Sequence, residues 1–387
     1  MFRRSTPIRA LALALAASTG PAVPVEIALH QETLPGQSVF VSGPLPLLGG
    51  GDVRRAVKLS PHQYPVWSIV IDLPPGTSFQ PKFYLRDDAP ARLADAGNAT
   101  PIPTTHTITT PAAEEPGGLQ RDPVPGPGAS IPRRESFTWT PSAPLFKPRA
   151  ITVLLPRGYD DTTTRRYPVL YAEDGQNVFS PGGPFGSWDL DLIATDLIRR
   201  GEIPEIIIVS IDNGGVDRIA EYIPEWIVYK DVPTRGGEYL RLLIGEVMPE
   251  IDRRYRTKRG PANTAHLGSS LGGVIGFEAA NEHADVFGAV VAMSPSFWLN
   301  RPGFVERAGR PPSTRARLYI DSGTEGPNSD AYADTMAVRD ALIESGHVFG
   351  APFLHTVGLG DGHNEAAWRG RLPGALRWLY APTTTTE

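Results

Sequence analysis

The sequence predicts an α/β domain with a mostly parallel central sheet, preceded by a small all-β sandwich. Three observations carry this. Beyond Arg133, short apolar runs alternate with amphipathic ones, the pattern of βα units around a largely parallel sheet. Before about Pro103, short β-like runs are separated by turn signals such as P-G and G-G-G-D. Between them lies a stretch rich in Pro, Gly and Thr that has no periodicity.

Composition bounds what such a chain can do. Its 387 residues suggest two or three packed units at about 100–200 residues per domain. With 41% hydrophobic and 20% charged residues it belongs with globular proteins rather than disordered or membrane-embedded ones. A net charge of -5 gives no electrostatic reason to expect a nucleic-acid partner. The absence of cysteine excludes disulfides, thiolate metal sites and a cysteine nucleophile. No motif calls for a metal or a cofactor.

At the N-terminus, Arg3, Arg4 and Arg9 flank the apolar run Ile8 to Ala17, and small residues follow at Ala16, Ala17 and Ser18. Residues 1–22 therefore read as an export signal, which predicts a secreted or periplasmic protein. No other stretch approaches the ~20 apolar residues of a membrane span, so no membrane partner is expected. Residues 24–103 form the predicted sandwich, with strands at Val39 to Val41, Val57 to Leu59, Trp67 to Leu73 and Lys82 to Leu85. Residues 104–132 read as a linker, because P-V-P-G-P-G at Pro123 to Gly128 forms neither a helix nor a central strand.

Residues 133–382 form the α/β unit. Its predicted strands are Ile151 to Leu155, Pro168 to Ala172, Ile206 to Ile211, Thr264 to Leu267, Ala289 to Met293, Leu318 to Ser322 and Phe353 to Val357. Helices are expected at Leu190 to Arg200, Glu238 to Tyr255, Leu271 to Asn281, Tyr332 to Ser345 and Leu372 to Tyr380.

Gly268-Ser269-Ser270-Leu271-Gly272 is a G-x-S-x-G string placed after the strand-like T-A-H-L and before a helix-like run. That context is a nucleophile elbow of the α/β-hydrolase fold. Small flanking residues let the chain turn sharply enough to lift Ser270 above the sheet. Serine needs a base, and in this fold the partners follow in the order serine, acid, histidine. Of the four histidines after Ser270, His283 sits on the elbow helix, His347 ends a helix and His355 lies within a strand. Only His363 falls in a loop, G-D-G-H-N-E, between the last strand and the last helix, so it is the expected general base.

The acid should come from the loop after Leu318 to Ser322, which offers Asp321, Glu325 and Asp330. Asp321 is drawn in at the strand end and suits a structural hydrogen bond. Asp330 precedes a helix and ranks first, with Glu325 second. A helix N-cap is a compatible structural role for Asp330. The backbone N–H of Leu271 is one expected oxyanion donor. The second should come from E-D-G-Q-N-V-F after Pro168 to Ala172, through the main chain of Gln176 or its neighbour Asn177. Trp188, Trp226, Phe297 and Trp298 read either as pocket lining for an acyl or aryl group or as packing.

Together, T-V-L-L-P-R-G-Y, R-Y-P-V-L-Y-A-E-D-G-Q-N-V-F, H-L-G-S-S-L-G-G, L-Y-I-D-S-G-T and G-H-N-E-A-A-W resemble the putative-esterase family that includes enterochelin, feruloyl and esterase-D-like esterases. The resemblance implies a serine carboxylic-ester hydrolase working through an acyl-enzyme. It places the family's serine on Ser270, its histidine on His363 and its first oxyanion donor on Leu271. The loop G-T-E-G-P-N-S-D departs from the family pattern and leaves Asp330 against Glu325 open.

The N-terminal unit resembles a family-20 starch-binding module through G-Q-S-V-F-V-S-G, A-V-K-L-S and Y-P-V-W-S-I-V-I-D-L-P-P-G-T-S-F-Q-P-K-F. The resemblance puts Trp67 and Lys82 at a sugar site. However, Leu93 replaces the second indole and Leu48-Gly49-Gly50-Gly51 replaces the usual L-G-N-W. Trp67 reads equally as a core aromatic. Expected partners are thus a small or polysaccharide-linked ester and a possible glucan. The substrate readings are acyl esters of sugars, hydroxycinnamates or siderophore lactones. A glucan-binding scaffold with a vestigial hydrolase domain, or an acyltransferase, are the alternatives.

Overall fold

The computed structural model describes residues 132–380 except 313–314, 348–351 and 359, and, before them, residues 23–31, 33, 37–53, 56–63, 66–73, 77–87, 99–103 and 108–109. The expected export signal and Leu93 lie outside the described residues, as does the expected linker apart from 108–109 and 132.

The N-terminal unit is built from β1 (Val23–His30), β2 (Gln37–Ser42), β3 (Val57–Lys58), β4 (Ser60–Gln63), β5 (Val66–Leu73), β6 (Ser78–Phe79), β7 (Lys82–Asp87), β8 (Thr100–Ile102) and β9 (Ile108–Thr109). Two antiparallel sheets, β1-β5-β4 and β3-β2-β7-β8, share one apolar core. The period of two along β5 buries Trp67, Ile69, Ile71 and Leu73 together, against Val39, Val41 and Phe83 of the other sheet. β9 pairs with β6 within the span expected to be linker.

Trp67 is the core aromatic of its two readings. It is only 3% exposed, and its indole N–H donates to the carbonyl of Gln31 at 2.9 Å. An indole with both faces packed has none to offer a sugar ring, so the expectation of a sugar platform at Trp67 is corrected. Lys82 is exposed at the start of β7.

The second unit has the α/β-hydrolase architecture. Its strands are β10 (Arg133–Trp139), β11 (Arg149–Leu155), β12 (Val169–Ala172), β13 (Ile207–Ile211), β14 (Thr264–Ser269), β15 (Ala289–Met293), β16 (Arg317–Ser322) and β17 (Phe353–Val357). They form one eight-stranded sheet in the order β10-β11-β13-β12-β14-β15-β16-β17. β10 and β11 are antiparallel to their neighbours, and the rest of the sheet is parallel.

Helices α1 (Gly175–Val178), α2 (Leu190–Arg199), α3 (Arg218–Tyr222), α4 (Gly236–Leu242), α5 (Met248–Arg254), α6 (Leu271–Glu282), α7 (Arg301–Ala308), α8 (Tyr332–Glu344) and α9 (Glu365–Tyr380) accompany it. One face of the sheet packs residues such as Tyr171, Val209 and Ile320 under α4, α6 and α8. The other packs Leu170, Ile208 and Val291 under α2 and α9. Burial on both faces is why these strands read as continuous apolar runs.

The structure adds elements that the pattern did not show. β10 is an exposed edge strand, R-R-E-S-F-T-W, whose charges mask its alternation. α7 contains Pro and Gly, but Asn300 caps it by accepting from Gly303 N–H at 3.2 Å. α9 begins at Glu365, seven residues before the expected Leu372. Asn364 accepts from Ala367 N–H at 3.0 Å and starts the helix early. Its buried stripe then carries it across Pro373. The helix expected at Glu238 to Tyr255 is α4 and α5 joined by a π turn at Leu243–Val247.

Candidate active site

Ser270 sits between β14 and α6 with φ 57° and ψ −119°, a strained conformation for a residue with a side chain. Its surroundings fix it. Its N–H donates to Met293 O at 2.9 Å, and its carbonyl accepts from Val274 and Ser296 N–H at 3.1 and 3.2 Å. The turn needs glycine at Gly268, where a Cβ would lie 2.3 Å from the Gly272 carbonyl oxygen. The elbow thus leaves Ser270 Oγ free to face a neighbouring loop.

That neighbour is His363. Its Nε2 lies 2.8 Å from Ser270 Oγ, and its Nδ1 lies 2.6 Å from Asp330 Oδ1. Of the two candidate carboxylates the structure brings Asp330 to the imidazole, whereas Glu325 is exposed. Glu325 instead contributes its backbone N–H to Asp361 O at 2.9 Å. Asp330 is 1% exposed, and its other oxygen accepts from Ser294 Oγ at 2.5 Å and from Gly323 N–H. Burial alone would raise its pKa. The donors His363, Ser294 and Gly323 outweigh burial and hold it below the usual aspartate value. Ser296 Oγ lies 3.3 Å from Ser270 Oγ on the opposite flank.

Of the other histidines that follow Ser270 in the chain, none is hydrogen-bonded to it among the described residues. His283 closes α6, His347 follows α8 with its ring nitrogen 2.9 Å from Leu342 O, and His355 is fully buried in β17.

Leu271 is the first residue of α6, so its N–H has no acceptor within the helix. Gln176 lies in the one-turn α1, in the loop beside the elbow: a Cβ on Gly272 would meet Asp174 Oδ2 at 3.4 Å. The Gln176 side chain accepts from Asn213 N–H at 3.2 Å, which leaves its main chain as the group of interest. Asn177 is buried, and its amide donates to Glu365 Oε1 at 3.2 Å.

Several residues that hold this arrangement escaped the sequence reading. Glu173 is fully buried and accepts from Tyr222 at 2.8 Å and Tyr239 at 2.5 Å, with His266 Nε2 2.9 Å away. Asp174 accepts from Arg218 at 2.6 and 2.7 Å and from Asn213 at 2.6 Å. Together they pin the loop that carries Gln176. Arg371 is buried under the acid: it pairs with Asp321 at 3.0 Å and Asp361 at 2.5 Å and donates to Ser294 Oγ at 2.8 Å. Burial alone would lower its pKa, but those carboxylates raise it instead. Trp368 also donates to Ser294 Oγ, at 3.0 Å, and meets the His363 ring edge-on at 5.1 Å. With two donors on its oxygen, Ser294 must direct its own proton to Asp330.

Arg371 did leave a trace in the sequence. It falls on the buried stripe Ala367, Trp368, Leu372, Ala375, Leu376 and Leu379, where an arginine needs a partner.

Among the four aromatics considered as pocket lining, Trp188 and Phe297 are core residues, 1% and 0% exposed. Trp226 packs between Phe304 and Arg307 and donates to Glu278 at 3.1 Å. Trp298 is 47% exposed, two residues past Ser296. Phe185, Val216 and Ile219 are also exposed, on the segments that follow β12 and β13.

A model of the putative esterase family matches residues 142–379, and a model of the starch-binding domain matches residues 22–111. The uncharacterised protein YbbA of Bacillus subtilis (strain 168) is 24% identical over 251 residues, covering 62% of this chain and 95% of that protein. An alpha-amylase of Streptomyces violaceus is 42% identical over 82 residues, 21% of this chain and 13% of that protein. Among solved structures, a ferulic acid esterase superposes with TM-score 0.52 at 22% identity, covering 64% of this chain and 98% of that one. The enterobactin esterase FES from Shigella flexneri superposes with TM-score 0.54 at 16% identity, covering 94% of each chain. These structural likenesses concern the fold.

Proposed function

Because this chain belongs to the putative esterase family and is a carboxylic ester hydrolase, we propose that it works as an exported serine esterase. Ser270 is its nucleophile, His363 its general base and Asp330 the carboxylate that orients the base. The observation that carries this reading is the unbroken path from Ser270 Oγ through the His363 ring to Asp330, at 2.8 and 2.6 Å. On substrate binding, His363 Nε2 takes the Ser270 proton as Oγ attacks the acyl carbonyl. The resulting imidazolium is stabilised by Asp330 and returns the proton to the departing alcohol. Water repeats the sequence on the acyl-enzyme and releases the acid. The N–H groups of Leu271 and Gln176 are the donors for the oxyanion.

Trp298, exposed two residues past the Ser296 that flanks the nucleophile, favours an acyl or aryl ester, such as an acyl sugar or a hydroxycinnamate, over a small charged one. The starch-binding-domain match favours a glucan-linked form of it. Burial of Trp67 argues that any glucan contact would use other residues, Lys82 among them.

The test is substitution Ser270→Ala, with p-nitrophenyl acetate turnover and fluorophosphonate labelling both measured. The reading requires both to vanish while the thermal transition is retained, and hydrolysis at the wild-type rate would refute it. Recovery of a chain shortened at its N-terminus from the culture medium tests export. A panel of feruloyl, acetyl-sugar and trilactone esters tests the substrate class.

A further inference from the structure

The apolar core of the sandwich does not end at the sandwich. Val357, the last residue of β17, is 0% exposed and belongs to the same cluster as Val39, Trp67, Ile69 and Ile71. Tyr332, the first residue of α8, packs against that cluster, and β17 and α8 lie beside β5 and β4 respectively. In the chain, Tyr332 follows Asp330 by two residues and Val357 precedes His363 by six. One N-terminal unit therefore grips both segments that deliver the acid and the base.

The acid segment needs such a grip. Ser329, Asp330 and Ala331 have φ of 48°, 53° and 57°, three successive non-glycine residues in the left-handed region. A side chain makes each such residue strained, so the conformation persists only where surrounding structure enforces it. Immediately downstream of it, Tyr332 packs against the sandwich core. The base segment starts from Val357 through Gly358, whose N–H donates to Ser322 O at 2.9 Å, and closes on Asp361, which accepts from Thr324 and Glu325 N–H at 3.0 and 2.9 Å.

The geometry points to the starch-binding-like sandwich as a brace for the Asp330–His363 pair, with Tyr332 and Val357 as positioning residues. Its kinetic consequence rests on the serine-esterase reading above. Its structural consequence, a hydrogen bond between Asp330 and His363 that depends on the sandwich, does not.

The test uses the full chain. Tyr332→Ala should lower kcat on p-nitrophenyl acetate about 10- to 100-fold with KM changed by less than about threefold, the signature of a misplaced catalytic group rather than of lost binding. In the same variant the low-field proton resonance of the His363–Asp330 hydrogen bond, identified by its loss in Asp330→Asn, should weaken or vanish. Tyr332→Phe, which keeps the ring, should restore both. A folded Tyr332→Ala with kcat within about twofold of wild type and its resonance intact overturns the brace. If that variant does not fold, Val357→Ala carries the same expectations and the same refuting outcome. If the wild-type chain shows neither turnover nor fluorophosphonate labelling, the esterase reading fails. The resonance then decides the brace alone: loss in Tyr332→Ala supports it and retention overturns it.

Discussion

Asp330 is where the site is most sensitive to a single atom. Its two oxygens take three donors, from His363, Ser294 and Gly323, and an amide in its place would turn an NH2 group toward at least one of them. Asp330→Asn is therefore expected to lower kcat on the order of 10³–10⁴-fold by favouring the wrong tautomer of the imidazole. Glu325→Gln, on an exposed side chain, should leave kcat within about twofold. Parallel kinetics on the two variants check this, and equal losses would reject the assignment of the acid. The lowered pKa of Asp330 also has a stability consequence. Its contribution is fully present above the unfolded aspartate value of about 3.9 and is lost as pH falls through the lower folded value. The sequence offered both carboxylates because distance along the loop does not say which one the chain buries. Only the left-handed turn at 329–331 does so.

At the scale of elements, the elbow and α9 carry the load. A methyl group on Gly268 would lie 2.3 Å from the Gly272 carbonyl oxygen, a backbone atom in the first turn of α6. Gly268→Ala should thus displace Ser270, with activity falling at least tenfold and stability by about 1–3 kcal/mol. Thermal melts alongside ester turnover check both, and an unaffected enzyme would mean that the elbow relaxes freely. α9 contributes Arg371, whose loss leaves Asp321 buried and without its cation. Arg371→Met is expected to cost about 3–5 kcal/mol, the range for removing one partner of a buried pair, as measured by denaturant unfolding. The elbow was legible in the sequence because its constraint is local: a strand, a five-residue string and a helix. The start of α9 was not, because a Pro and two Gly residues obscure a stripe that makes sense only against the sheet.

At the scale of the whole molecule, β17, which lies beside strand β5 of the sandwich, contains His355, fully buried, with neither ring nitrogen hydrogen-bonded among the described residues. Burial, and secondarily Arg339, hold its pKa well below 6.5, and burial and Arg315 lower His347 to about 4. Unfolding lets both regain ordinary values. Between about pH 6.5 and the lower folded values the unfolded chain thus binds more protons, and stability falls as pH falls. His355→Leu should flatten the dependence of Tm on pH between 7 and 5, and an unchanged slope would show that His355 takes no part in it. Sequence alone determined the two β-rich and α/β units, the elbow serine and the histidine loop, because periodicity, turn chemistry and chain order are written locally. Tertiary structure decided the rest: that Asp330 rather than Glu325 meets His363, that Trp67 is core, that Arg371 underpins the acid, and that the sandwich closes over β17 and α8. Each of these depends on which side chains share a buried volume, a property of residues far apart in the chain that no local pattern encodes.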